Sequence, residues 1–144
     1  MKKNLLTALT LCLIGALAAG CGGKKPAAGI DVDLTALSGV MVYAEVYNMM
    51  TSPEEYLGKT IKANGSYAVT YYDKTGQYYH FVLVEDAGAC CQQGLEFRWS
   101  GERVYPDEYP AENAKIELVG VYSRYELLGD TLYYLAVDEL TVPG

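Results

Sequence analysis

The sequence contains one pair of adjacent cysteines, Cys90 and Cys91, whose thiols are the side chains best suited to chemistry. An apolar run at residues 81–84 and a small-residue segment at 87–89 precede them, and alternating apolar residues follow at 95–99. This pattern predicts two strands joined by a turn that carries both thiols. Adjacent residues of a regular strand point to opposite faces, so the cysteines could act together only in such a turn or in a bulge.

The thiol pair has three interpretations. Two thiolates suit Zn²⁺ or Cu(I), and Glu85 and Asp86 are the nearest candidates for further metal ligands. A redox pair is the second interpretation. Consecutive Cα atoms lie about 3.8 Å apart, below the usual disulfide range of about 4.4 to 6.8 Å, so a Cys90–Cys91 bond would be strained and easily reduced. In the third interpretation both cysteines are small buried side chains without chemistry.

His80 is the only histidine and therefore a possible further metal ligand. It lies five residues before Glu85, which is about 16 Å at about 3.3 Å per residue along a strand, so it would have to reach the thiols from another layer. A packed or hydrogen-bonded histidine is the alternative. No carboxylate pair and no serine–histidine–aspartate arrangement stands out, so the sequence favours a binding protein over an enzyme.

Tyrosine is unusually frequent, with 14 in the chain, and several tyrosines are adjacent. One member of each adjacent pair must face outward from a strand. The candidates for an outward binding face are Tyr72, Tyr78, Tyr79, Tyr133 and Tyr134. Such side chains could stack on a glycan or bind an envelope protein. Alternatively, tyrosine is frequent because it tolerates half-burial in a small barrel with a thin core.

The N-terminus has the pattern of a signal peptide, predicted at residues 1–20. Its apolar run at 5–19 is 15 residues long, shorter than the roughly 20 that a membrane-spanning helix needs. The ending AAGC resembles a bacterial lipobox, which implies that Cys21 carries a lipid. Gly22 follows in place of aspartate, which resembles the outer-membrane default of bacteria with two membranes. We therefore expect a lipid-anchored protein on the cell membrane or the outer membrane, facing outside the cytoplasm.

The remaining chain is acidic. Removing the signal peptide removes two of the 11 basic residues and none of the 18 acidic ones, which leaves a net charge of about −9. Such a surface repels phosphate groups, so nucleic acid is excluded as a partner, while cations and neutral sugars remain possible. The length suits one domain.

Residues 21–38 are rich in glycine, alanine and lysine at their start and are predicted to form a flexible tether. The domain is expected at residues 39–144. Spaced apolar residues at 40–50 predict a helix, although Val40 to Val42 could also pair as a strand. Ser52 and Pro53 predict a second helix start.

Alternation and apolar runs predict five strands, at residues 60–71, 77–85, 95–99, 115–125 and 131–140. Two Tyr-Pro pairs mark a loop at 100–113. Gly65 and Gly120 lie in mid-strand, where glycine usually marks a bulge or a tight bend. The prediction is a mainly β fold, a small five-stranded OB-like barrel with a short N-terminal helical segment. A two-layer sandwich is the alternative.

The two predicted hairpins resemble each other at an offset of 55 residues, with Ile61, Gly65 and Tyr67 matching Ile116, Gly120 and Tyr122. Either an internal duplication or the common pattern of tyrosine-rich hairpins explains this match.

The phrase PEEYLGKTIKANGSY resembles the entry to the first strand of many bacterial OB-like domains. The later FVLVEDAGACC resembles the strand and Cys-Cys pair of a family of OB-like lipoproteins and permease-associated domains of Gram-positive bacteria. The resemblance covers residues 52–99 and implies the barrel fold, but it implies no particular activity.

The sequence therefore predicts a lipid-anchored binding module with a soft metal at the thiol pair. The reduced protein should take up Zn²⁺ or Cu(I), and replacing Cys90 and Cys91 together by serine should abolish the uptake. Native mass spectrometry with a thiol count measures both. A mass lower by two hydrogens that mild reductant restores would point to the redox pair instead.

Overall fold

A computed structural model describes residues 29–85 and 92–144 of the chain. The strands are β1 (Val32–Asp33), β2 (Thr60–Tyr72), β3 (Gln77–Glu85), β4 (Gln92–Trp99), β5 (Lys115–Leu127) and β6 (Asp130–Thr141). The α-helix α1 spans Gly39–Thr51, and short 3-10 helices span Leu34–Ala36 and Pro53–Glu55. Within the described ranges, no helix has the length and apolar composition that crossing a bilayer requires.

Strands β2 to β6 close into a barrel. The order of paired strands is β2-β3-β4-β6-β5, and β5 pairs back onto β2. The β4–β6 pairing is parallel and short, joining Phe97–Trp99 to Leu135–Val137, whereas the other barrel pairings are antiparallel. This is the closed five-stranded barrel of OB type that the sequence predicts, and the sandwich alternative is wrong.

The helix α1 covers one end of the barrel. Val42, Val46 and Met49 point from it into the core, and each has a relative exposure of 9% or less. The hydroxyl of Tyr122 donates a hydrogen bond to the carbonyl of Met49 at 3.0 Å and so fixes the last turn. The predicted helix is confirmed, because its apolar residues recur at the helical period rather than alternating.

The loop of residues 100–113 covers the opposite end. Two backbone hydrogen bonds hold its end on β2, from Tyr67 to the carbonyl of Ala114 and from Asn113 to the carbonyl of Tyr67, both 2.8 Å long. Tyr105 and Tyr109 of the loop pack against the ring of His80, with centroids 5.6 and 4.0 Å away.

The folded domain begins earlier than residue 39. Val32 and Asp33 pair in parallel with Ile61 and Lys62, and Leu34 is only 2% exposed. The segment 31–38, assigned above to the tether, therefore belongs to the domain. A two-residue strand is too short to show alternation in the sequence, which explains the error. Residues 1–20 and Cys21 lie outside the described residues.

Two smaller elements also differ from their predictions. The second helix start at Ser52 and Pro53 produces only a 3-10 turn, and Ser52 makes no side-chain capping bond. Strand β4 begins at Gln92 rather than residue 95, because pairing with β3 recruits a Gln-Gln-Gly segment that has little strand propensity of its own.

Gly65 and Gly120 lie where strands approach too closely for a side chain. A Cβ atom on Gly65 would lie 2.2 Å from the backbone oxygen of Leu83, and one on Gly120 would lie 2.8 Å from Cγ2 of Val137. The β5–β6 register also shifts between Val119 and Gly120, which marks a bulge. The expected role of the mid-strand glycines is confirmed.

The 55-residue offset relates two strands that pair with each other. The β2–β5 ladder joins residues 60–66 to residues 115–121, which are the same segments under that offset. As a result, Gly65 pairs with Ile116 and Gly120 pairs with Ile61. The repeated residues therefore close the barrel symmetrically.

Replacing Gly65 by alanine should lower the free energy of unfolding by about 2 to 3 kcal/mol, because the new methyl group would meet rigid backbone. Gly94→Ala is the matched control, since its Cβ would lie 3.4 Å from movable side-chain atoms of Phe81 and Leu83. The control should change stability by less than about 1 kcal/mol. Urea denaturation measures both variants, and equal effects would contradict the close approach at Gly65.

Candidate functional site

The predicted thiol site lies outside the described residues, because Asp86, Cys90 and Cys91 belong to the segment between β3 and β4. Glu85 ends β3, where it pairs with Gln92. The metal and redox hypotheses stay predictions. Among the described residues, no group of three or more His, Cys, Asp or Glu side chains is placed to hold a metal ion.

His80 lies at the loop-covered end of the barrel and makes the contacts of a packed histidine. Its Nδ1 lies 2.7 Å from the hydroxyl of Tyr67, and its ring stacks on Tyr109 at 4.0 Å with an interplanar angle of 11°. Burial lowers the pKa of His80 to about 4, so the ring is neutral at physiological pH. The strand register also places His80 opposite Phe97, five pairs away from Glu85 and Gln92.

The five tyrosines proposed as one face divide among three places. Tyr78 packs between Tyr71 and Tyr105, with centroids 5.0 and 4.5 Å away. Tyr133 stacks on Tyr122 and donates a hydrogen bond to Glu54 at 2.9 Å. The expectation of a single face is therefore wrong, since neighbours such as Tyr78 and Tyr79 point to opposite sides of their strand.

Tyr72 and Tyr79 lie on the outer face of the barrel and line an open groove of about 460 Å³ that we call the barrel groove. It crosses β2, β3 and β4 and reaches the turn between β5 and β6. Its lining is Thr70, Tyr72, Tyr79, Phe81, Glu96, Tyr125, Leu127, Leu128, Asp130 and Leu132. Most of these side chains are apolar or aromatic, as in typical small-molecule sites.

One partly buried polar network forms part of the groove. The carboxylate of Glu96, only 10% exposed, accepts hydrogen bonds from the hydroxyl of Tyr125 at 2.8 Å and from Nε of Arg98 at 3.2 Å. The guanidinium of Arg98 lies over the rings of Tyr125 and Tyr134, at 3.6 and 4.8 Å from their centroids. Burial and the bond to Glu96 raise the pKa of Tyr125 to about 12, so its hydroxyl remains a donor.

Aromatic and apolar side chains form the rest of the groove. The rings of Tyr72 and Tyr79 meet edge to face at 6.3 Å, and the hydroxyl of Tyr79 donates to Oγ1 of Thr75 at 3.2 Å, which holds the ring in place. On the other side, Leu128 stands in the β5–β6 turn and is 67% exposed. A leucine that exposed contributes little to the core.

Two smaller cavities of about 270 Å³ each adjoin the groove. One shares Phe81, Glu96 and Leu132 with it and extends toward Met50 and Tyr133. The other shares Tyr79 and Glu96 with it and extends to His80, Trp99 and Tyr109. Glu96 therefore lies where all three meet.

Glu96, Tyr125 and Leu128 are not among the site residues that the sequence predicts. The alternation at residues 95–99 places Glu96 and Arg98 on the outer face, so the sequence is sufficient to predict which side of the strand they occupy. The sequence does not predict the contact between Glu96 and Tyr125, because these residues are 29 positions apart on strands that are not neighbours in the barrel.

Comparison of the chain with models of known protein families gives no match, and comparison with curated protein sequences gives none either. The resemblance to OB-like lipoproteins with a Cys-Cys pair stays a prediction. The case for a function therefore depends on the geometry of the groove.

His80 should make stability fall as the solution is acidified. Its pKa is about 4 when folded and about 6.5 when unfolded, so between these values the unfolded chain binds more protons. The stability that neutral His80 provides is fully present above about pH 6.5 and is lost as the pH falls toward 4.

His80→Phe, which keeps a ring against Tyr109, should reduce the slope of unfolding free energy against pH in that window. Urea denaturation at several pH values measures the slope. Since the chain has one histidine, no second imidazole confuses the comparison. Identical slopes in the two proteins would show that His80 is not buried in neutral form.

Proposed function

We propose that this protein is a lipid-anchored, extracytoplasmic binding module that holds a neutral oligosaccharide in the barrel groove. The observation that carries the proposal is the combination, in one open groove, of the aromatic side chains Tyr72, Tyr79 and Phe81 with the largely covered carboxylate of Glu96.

The chemistry of a sugar ring matches this lining. A pyranose has apolar C–H faces, which pack on aromatic rings, and hydroxyl groups at its edge, which need hydrogen-bond partners. Tyr72 and Tyr79 offer the rings, while the carboxylates of Glu96 and Asp130 offer acceptors. The outer face of OB barrels also binds oligosaccharides and oligonucleotides in other proteins, which is an argument by analogy of fold.

The charge of the protein favours oligosaccharides over oligonucleotides as ligands. The mature chain carries a net charge of about −9, and the two carboxylates that line the groove, Glu96 and Asp130, outnumber the one guanidinium beside them, that of Arg98. A phosphate backbone would be repelled, whereas a neutral glycan would not.

The role of Glu96 supports ligand binding. Its carboxylate already accepts hydrogen bonds from Tyr125 and Arg98, which fix its orientation in the groove. A carboxylate held in this way can accept hydrogen bonds from sugar hydroxyls with its remaining lone pairs.

The predicted lipid at Cys21 supports a glycan of the cell envelope as the ligand. A protein held on the outer side of a bacterial membrane meets such polymers at high local concentration. Binding of modest affinity would then be sufficient to keep the module on its ligand.

Replacing Tyr79 by alanine should weaken binding of a neutral tetrasaccharide by at least about tenfold, or about 1.4 kcal/mol, because a stacking surface is removed. The ligands are cellotetraose and chitotetraose, titrated by calorimetry into the mature protein in detergent micelles. Tyr47→Ala is the matched control, since Tyr47 is 55% exposed on α1 and lies outside the groove.

A second variant, Leu128→Glu, tests the same groove at an exposed position where unfolding is not expected. It should weaken binding while the unfolding midpoint stays within a few degrees of the parent. Failure of both sugars to bind the parent protein, or equal binding by the Tyr79 and Tyr47 variants, would refute the proposal.

A further inference from the structure

Trp99, the only tryptophan of the chain, has a buried hydrogen-bond donor without a partner. Its Nε1 is covered by protein atoms and forms no hydrogen bond in the structure. An indole N–H can only donate, so it needs an acceptor. Buried polar groups without partners are few in native proteins, and each one calls for an explanation.

The surroundings of Trp99 suggest what the missing partner is. Trp99 lines the cavity of about 270 Å³ that adjoins the barrel groove at Tyr79 and Glu96, and we call this cavity the notch. It lies where the β3–β4 ladder ends, since His80 and Phe97 are its last pair. Beyond that pair the two strands separate and leave space between Gln77 and Trp99.

Two of the polar side chains around the notch are engaged within the protein. Nδ1 of His80 is bonded to the hydroxyl of Tyr67 at 2.7 Å, and Nε of Arg98 donates to Glu96 at 3.2 Å. The remaining lining includes the aromatic rings of Tyr78, Tyr79, Phe97 and Tyr109. The notch therefore suits a small group with one acceptor oxygen and an apolar part.

The acetamido group of an N-acetylated sugar has that composition. Its carbonyl oxygen is an acceptor, its methyl group packs on aromatic rings, and it carries no charge. A carboxylate would also accept, but the net charge of about −9 on the mature chain disfavours it. A sugar hydroxyl has no methyl group to fill the aromatic surface.

We propose that the notch is a subsite for the acetamido group of an N-acetylated sugar, whose carbonyl oxygen accepts a hydrogen bond from Nε1 of Trp99. This inference rests on the proposed function, because the sugar ring itself lies in the adjoining groove. Nε1 is covered in the free protein, and the guanidinium of Arg103 lies 3.7 Å from the indole ring. Binding must therefore move Arg103 or turn the indole.

The test compares chitotetraose with cellotetraose, which share the β-1,4 linkage and differ in the acetamido group. Calorimetry on the mature protein in detergent micelles should show at least about tenfold tighter binding of chitotetraose. In Trp99→Phe the preference should fall below about threefold, with the affinity for cellotetraose unchanged. Tyr79→Ala should instead weaken both sugars by similar factors.

Tryptophan emission of the unmutated protein gives a second readout that does not depend on how well the variant folds. Chitotetraose should shift the emission of the single tryptophan, and cellotetraose should leave it nearly unchanged. Equal affinities for the two sugars, or tighter binding of chitotetraose without an emission change, would overturn the subsite and leave the groove intact. Absence of binding by both sugars would refute the proposed function itself.

Discussion

The pairing of β2 with β5, which closes the barrel, is the constraint on which the rest of the structure depends. Gly65 and Gly120 lie diagonally in the ladder that closes the barrel, and each lies against a further strand with no room for a side chain. Closure bends the sheet so that its outer face curves between the β2–β3 hairpin and the β5–β6 hairpin. The barrel groove lies on that curved face, so its shape follows from the two glycines.

The two ends of the barrel are closed by different chemistry. The helix α1 covers one end with aliphatic side chains and Met49, whereas a stack of Tyr67, His80 and Tyr109 fills the other. His80 and Tyr109 of this aromatic end also line the notch, which adjoins the groove. Stability and the proposed binding are thus linked through these two residues, although neither lines the groove itself.

The strands could be predicted from the sequence because alternation is a local signal, and β3 has the predicted bounds at residues 77–85. The elements and bonds that depend on contacts between residues far apart in the sequence could not be predicted in this way. The β1 strand has two residues and pairs with Ile61 and Lys62, and the Glu96–Tyr125 bond joins two strands that are not neighbours. The composition indicated that tyrosines are important. The pairing of the strands in the fold was needed to assign Tyr79 to the groove and Tyr78 to the aromatic end.

The central claim is that the barrel groove holds a glycan. The most direct measurement is a titration of the isotope-labelled mature protein with chitotetraose, followed by the backbone amide shifts of each residue in NMR spectra. The account predicts that the largest changes cluster at Tyr72, Tyr79, Phe81, Glu96 and Leu128, with little change along α1. Changes centred on α1, or at residues 86–91 alone, would contradict it.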